Sequence, residues 1–420
     1  MRGTPADRSG PYFFLSYART PSWGSEGGDP DHWVHLLFRD LCEHIMALTD
    51  LPAGSQVGFM DRTLRTGESW SEALSMSLAT CRVFVPLLSP RYFSNEMCGR
   101  EWYAFNERVV RAKAAGARDA LGMVPALWTR VDFEQLPDSA RRLHLDFSSF
   151  NQRYENNGLY GLIKLSRLRD DYDEAVFELS ERIVRVAHES RLPPSRPPVF
   201  EELPSAFDRH RELRPLSIVV AAARQDQLPD SRDAGAYGAR EVDWNPYHPF
   251  AGRPLAMFAE ELIRLLGLHV EVYSLDEALD RSSGFSPSRG PTLLLVDPWA
   301  LLDPELSAKL SWFDKRATPW TRVMIPWNRE DPDALAPGAP DPTRLENVIP
   351  QLIRFTRAVS RASVSGVGSQ ESFPDALSPL VRHAYAEFAR QSPVAGPHPR
   401  PRPRLTAPLV SPEDSGDREP

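Results

Sequence analysis

YFFLS at residues 12–16, followed at residues 31–48 by Trp33, Leu37, Leu41, Ile45 and Leu48, decides the fold. The first segment is a short apolar run and reads as a strand. The second repeats its large apolar residues every three or four positions, the period of one helix face. Together they make a single βα unit. Working outward, the alternation continues with a strand near 57–60, a helix over 68–80, a strand over 82–88, a helix over 95–115 and a strand over 123–128. A long amphipathic stretch, 159–188, closes the series, with Ala175, Leu179, Ile183 and Val186 on its inward stripe. Strands alternating with helices of this length pair in parallel through right-handed crossovers, so residues 11–192 read as a doubly wound α/β domain.

The pattern recurs after a break. Strands are expected at 216–222, 269–273, 292–296 and 322–325, with helices at 254–266 and 304–313, so residues 216–391 read as a second, flavodoxin-like α/β domain. Between the two lies RLPPSRPPVFEELPSAFDRHRELRP. Its prolines remove backbone donors and bias their predecessors toward extended geometry, which predicts a semi-rigid linker over 193–215. Residues 392–420 are Pro-rich, charged and free of aromatics, and residues 1–10 are polar; both are expected to be disordered.

Composition narrows the function classes. The chain has 420 residues, 57 acidic against 49 basic, for a formal net charge of -8, which leaves no basic footprint for nucleic acid or an anionic membrane. Three cysteines, Cys42, Cys81 and Cys98, without a CxxC pair, argue against a disulfide framework and against a zinc site, so no metal is expected. The N-terminus lacks an apolar signal core, and the longest apolar runs are far too short to span a bilayer, so a cytoplasmic protein is expected. Metalloprotease, nucleophile-elbow, P-loop and dinucleotide-fingerprint motifs do not occur.

Three ordered segments carry the chemistry. Phe13-Phe14-Leu15-Ser16-Tyr17 forms the first strand. Phe59-Met60-Asp61-Arg62 leads to Gly67 and Trp70. Ser89-Pro90-Arg91-Tyr92-Phe93-Ser94 leads to Cys98 and Glu101. In this order and spacing they resemble the TIR domain superfamily. The first is similar to the box-one strand, whose end opens at the carboxyl edge of the sheet, where ligands bind in such folds. The second is similar to the BB loop, in which Asp61 either lines a site or caps a turn. The third is similar to the bacterial pattern that ends in a glutamate.

In TIR enzymes that cleave the nicotinamide-ribose bond, that glutamate is catalytic, and the resemblance carries the role to Glu101. Departure of nicotinamide passes through an oxocarbenium-like state that a carboxylate stabilises, so no cofactor is required and NAD enters as substrate. Tyr17, Arg19, Asp61 and Met97 would line the pocket. Against this, Glu101 shares its helix with Arg100, Glu107 and Arg108, and a solvated glutamate is the ordinary reading of such a face. The position four residues before it, Trp in the pattern, is Met97, which fills space but stacks less well than an aromatic ring. Asp29 or Asp31, on either side of Pro30, is expected to cap the helix that follows.

In the second region, the loop 237–247, YGAREVDWNPY, either packs Trp244 and Tyr247 over the sheet edge or contacts a ligand. The whole layout resembles the actinobacterial TIR-like FxsC family, which is associated with FxSxx-COOH peptide maturation. The resemblance implies a signalling or scaffold protein acting by self-association or recruitment of protein partners, with Arg62, Gly67 and Trp70 on the interaction surface. The alternative is an NAD nucleosidase or cyclase.

Overall fold

The computed structural model describes residues 10–21, 29–61, 70–117, 121–132, 136–141, 147, 149–190, 192–207, 214–228, 232–280, 285–287, 289–335 and 339–391. The expectations for 392–420, for most of 1–10, and for Arg62 and Gly67 lie outside them, and Trp70 is described only as the first residue of its helix.

The first half contains β1 (Phe13–Ser16), α1 (His32–Leu48), β2 (Gly58–Met60), α2 (Trp70–Thr80), β3 (Val83–Leu88), α3 (Glu96–Ala114), β4 (Ala126–Leu127), α4 (Gln152–Lys164) and α5 (Arg169–Glu189). Its sheet is all-parallel, in the order β2-β1-β3-β4. Helix α1 packs on α5, and α2 packs on α3. Every residue of β1 and β3 is buried, as parallel strands covered on both faces must be.

The second half repeats the plan with β5 (Leu216–Ala221), α6 (Leu255–Leu265), β6 (Val270–Ser274), β7 (Thr292–Val296), α7 (Pro304–Asp314), β8 (Thr321–Met324), α8 (Pro350–Arg357) and α9 (Phe373–Gln391). The strand order, β6-β5-β7-β8, is the same permutation. The two-residue period of a strand sorts its side chains cleanly. Val219, Ala221, Leu294, Val296 and Val323 pack in a cluster with α7 and α8. Ile218, Val220, Leu293, Leu295 and Met324 face α6 and α9 and join the core of the first half. Helix α3 is the shared wall, since it contacts α2 on one side and both α6 and α9 on the other. The two sheets therefore share one continuous apolar core.

Where the residues 193–207 are expected to act as a spacer, they run against the first half. Arg108, 4% exposed, donates to the carbonyls of Cys81 at 2.6 Å and Pro193 at 2.7 Å, and also to Leu78 and Leu192. Ser195 N donates to Ala79 O and Ala206 N to Gly99 O, both at 2.9 Å. A side chain at Gly99 would collide with Ser205. Phe200, Leu203 and Phe207 are buried, each worth roughly 1.5–3 kcal/mol of apolar transfer. Proline still makes the segment extended, and the apolar residues between the prolines turn it into a strap.

Three local expectations are corrected. The stretch 159–188 is two helices, not one: Leu165 is extended and Ser166–Leu168 is a 3-10 turn. Within α4, Gly158 takes φ 63°, and a Cβ there would stand 2.6 Å from the Trp128 carbonyl oxygen. Strand β4 is two residues long, with an isolated bridge from Phe84 to Met123 ahead of it. Of the two capping candidates, Asp29 accepts at Oδ1 from Asp31 N at 3.1 Å just ahead of α1, whereas the Asp31 side chain does not cap the helix; its Oδ1 accepts from Thr20 N at 2.9 Å and pins the β1 exit instead. Among the described residues, no helix is long and apolar enough to cross a membrane.

Candidate functional site

In a 2-1-3-4 sheet the crevice opens where the chain leaves in opposite directions, between the carboxyl ends of β1 and β3. Ser16, the last residue of β1, pairs in register with Pro86 of β3. Its hydroxyl donates to Glu101 Oε2 and lies 2.8 Å from the Tyr92 hydroxyl. With its own proton committed to the carboxyl, Ser16 receives that of Tyr92.

Each member is placed by local structure. Ser89 Oγ accepts from Tyr92 N at 3.1 Å and turns the chain after β3. Asn95 caps α3 by accepting from Cys98 N at 3.1 Å, and Glu101 follows on the second turn. Phe207 of the strap packs on Tyr92, Phe93 and Trp102 at ring distances of 5.5, 5.2 and 5.4 Å, and so backs the site from behind.

Glu101 is 5% exposed, so the solvated-glutamate reading of its helix face does not hold. Burial pushes its carboxyl up to about 8, opposed by the Ser16 hydrogen bond; Asp61 adds to the rise and Arg19 offsets it. Burial also drives the Tyr92 hydroxyl and the Cys98 thiol well above their ordinary values. A carboxyl near 8 carries its proton at neutral pH and can give it up to a modest stimulus, the property wanted of an acid-base group.

Arg19 and Asp61 form an ion pair that joins the exit of β1 to the exit of β2. Both charges act on Glu101. Tyr17 is buried directly after β1, and Met97 lies one helical turn before Glu101, half-buried against the core. The crevice thus gathers Ser16, Asp61, Tyr92 and Glu101, with Arg19 at its exposed rim. Ser16 and Tyr92 escaped assignment from the sequence, although Ser16 ends the first strand and Tyr92 stands inside the third motif. Among the described residues, no group of His, Cys, Asp and Glu is arranged to hold a metal ion. Burial raises Cys81 to about 11 and Cys42 to about 12, so neither is a thiolate nucleophile at neutral pH.

The corresponding crevice of the second sheet, between the ends of β5 and β7, holds Asp297, whose amide donates to Ala221 O at 2.9 Å. Tyr237 donates its hydroxyl to Asp297 Oδ2 at 2.7 Å. Arg232, its side chain 4% exposed, pairs with Asp331 at 2.6 Å and Asp333 at 3.0 Å and stacks over Trp299. Burial lifts Asp297 to about 6 against the pull of Tyr237, the Trp299 amide and Arg232. The loop expectation resolves toward packing for two of its residues, since Trp244 and Tyr247 are each 2% exposed. No sequence signal marked Arg232 or its two aspartates, which lie about a hundred residues apart in the chain.

A search of characterised proteins found no match to this chain. Residues 13–163, which hold the first sheet and the whole Ser16–Tyr92–Glu101 cluster, match the family model described as TIR domain, and this segment is therefore a domain of the TIR superfamily.

Proposed function

We propose that the chain is a signalling and scaffold protein that works by self-association or by recruiting a protein partner, in the actinobacterial peptide-maturation or signalling setting that the FxsC-like layout implies. TIR domains serve in general as signalling platforms or as NAD-cleaving enzymes, so the choice turns on the crevice. One observation carries the scaffold reading: the Glu101 carboxyl is engaged inside the chain by Ser16 and shielded from solvent, next to the Arg19–Asp61 pair. Met97, in place of an aromatic ring one turn earlier, supports it further. Arg62, Gly67 and Trp70, which follow Asp61 in the sequence, are the residues proposed to carry the interaction.

The place of Glu101 in the crevice, beside the Arg19–Asp61 pair, favours a second reading, cleavage of NAD with Glu101 gripping a ribose hydroxyl after giving up its proton and Tyr17, Arg19, Asp61 and Met97 around the substrate. One experiment separates the two. The purified chain is incubated with NAD across a wide protein concentration range, with nicotinamide release and sedimentation followed together and Glu101→Ala run in parallel. The scaffold reading expects no nicotinamide and an association that Arg62→Ala or Trp70→Ala weakens at least tenfold. Nicotinamide release abolished by Glu101→Ala would establish the enzyme instead. A chain that stays monomeric and recovers no partner from cells would remove the scaffold.

A further inference from the structure

A cleft of about 1290 Å3 opens between the two halves, away from both crevices. One wall is the strap at 201–207 with Phe93 and the start of α3. The other is the last turns of α9, from Arg382 to Arg390. Three features describe its preferred occupant. The walls present aromatic and proline faces, notably Phe93, Phe207, Tyr385, Pro204 and Pro379. The cleft's arginines are already engaged: Arg100 with Glu96 at 2.5 Å, Arg390 with Glu387 at 2.5 Å, and Arg382 with Glu107 at 3.8 Å. The strap adds the adjacent carboxylates Glu201, which already accepts a hydrogen bond from Ser71, and Glu202. Apolar ring faces beside acidic groups are the chemistry that receives a proline-rich, arginine-bearing segment in extended PPII form.

The chain carries such a segment at the cleft's own rim. Helix α9 ends at Gln391, and Ala389 and Arg390 line the cleft. Six residues further on begins PHPRPRPRL, residues 397–405. At about 3.3 Å per residue the intervening stretch reaches roughly 20 Å, and nine residues of PPII span about 28 Å. With three residues per turn, every edge of the segment carries a proline and, three residues on, an arginine, as in Pro399 and Arg402 or Pro401 and Arg404, so the face that meets ring surfaces also presents a guanidinium to the neighbouring carboxylates. We infer that residues 397–405 dock in this cleft within their own chain, with the arginines on Glu201 and Glu202 and the prolines on Phe93, Phe207 and Tyr385. Docking orders a segment of disorder-prone composition at the moment of contact, and its short tether raises the local concentration enough to make a weak contact count. It also leans on the first crevice, because Phe207 packs directly on Tyr92, whose hydroxyl meets Ser16.

The test uses the full chain and a fluorescent nine-residue peptide of sequence 397–405. In the wild type the chain's own segment competes, so the peptide should bind at least tenfold more weakly than to the full-length triple variant Arg400→Glu, Arg402→Glu, Arg404→Glu. Adding Glu201→Lys and Glu202→Lys to the triple variant should reduce peptide binding at least tenfold again. Amides of 201–207 should exchange with solvent more slowly in the wild type than in the triple variant. Equal peptide binding by the two chains, binding by neither, binding indifferent to Glu201 and Glu202, or equal exchange would each overturn the assignment. These readouts are independent of NAD and of self-association.

Discussion

The two sheets share a strand permutation, and each buries a carboxyl at the crevice where that permutation reverses direction, yet they treat it in opposite ways. Glu101 is surrounded by hydroxyls, from Ser16 and Tyr92, and its nearest guanidinium, Arg19, is at an exposed rim and already paired with Asp61. Asp297 accepts from Tyr237 and sits beside Arg232, a guanidinium that is itself buried and held by two further aspartates. A hydroxyl stabilises either protonation state of a carboxyl modestly, whereas a buried cation commits its neighbours to the charged form. The first crevice is left able to titrate near neutrality, at about 8, and the second is closed near 6 by a cation the chain supplies itself. Identical topology therefore yields one crevice built for chemistry or signalling and one built as a plug.

The largest test of this contrast removes the plug. Arg232→Met leaves Asp331, Asp333 and Asp297 without their shared cation, and the second half should lose about 3–5 kcal/mol, read from denaturant midpoints. A loss below about 1 kcal/mol would mean that the network is not what closes the crevice.

A smaller effect sharpens the comparison through pH. The folded carboxyl of Glu101 holds its proton more tightly than the unfolded one, so its contribution is complete below about pH 4.5 and is lost as pH rises to about 8. The wild type should therefore fall relative to Glu101→Gln by about 3–4 kcal/mol between pH 5 and 8. Asp297, raised only to about 6, places its own loss at lower pH, so the interval from 6 to 8 belongs to Glu101. Parallel stability curves for the two proteins across that interval would refute the raised carboxyl.

The smallest effect concerns the rim. Arg19 is 59% exposed, so Arg19→Ala should change stability by less than about 0.5 kcal/mol. It should nevertheless move the Glu101 titration upward, seen by NMR, because a cation that lowers it has gone. An unmoved titration would detach Arg19 from the crevice.

The alternation of strands and helices was legible because periodicity is local. Residues 12–16 and 31–48 reveal their element type within a few neighbours, and the motif ending in Glu101 begins directly after β3. What escaped was set by distance or by the backbone. Nothing near Arg232 announces Asp331 or Asp333, and Ser16 becomes a site residue only when β1 and α3 are brought together. The break between α4 and α5 escaped because each helix was judged on its own stripe: on one uninterrupted helix the buried Leu159, Leu162 and Ile163 would face away from Tyr172, Ala175, Val176, Leu179 and Ile183, and that change of phase marks the interruption. Asp31 carried a capping signature, but the amide of Thr20 across the β1 exit claimed its carboxylate. The strap was misjudged because proline content describes stiffness and says nothing of where Phe200, Leu203 and Phe207 find cover.

Arg108 gives the strap a meaning for how the molecule comes apart. One guanidinium reads four carbonyls, two from the α2–β3 turn and two from Leu192 and Pro193, so neither segment can open without stranding donors in the other. The cooperative unit that contains the first sheet therefore extends to Phe207. A fragment cut at Ile163 or Leu192 would bare Trp102 and Tyr92 to water, and its aggregation would report a missing piece of the fold rather than a property of the domain.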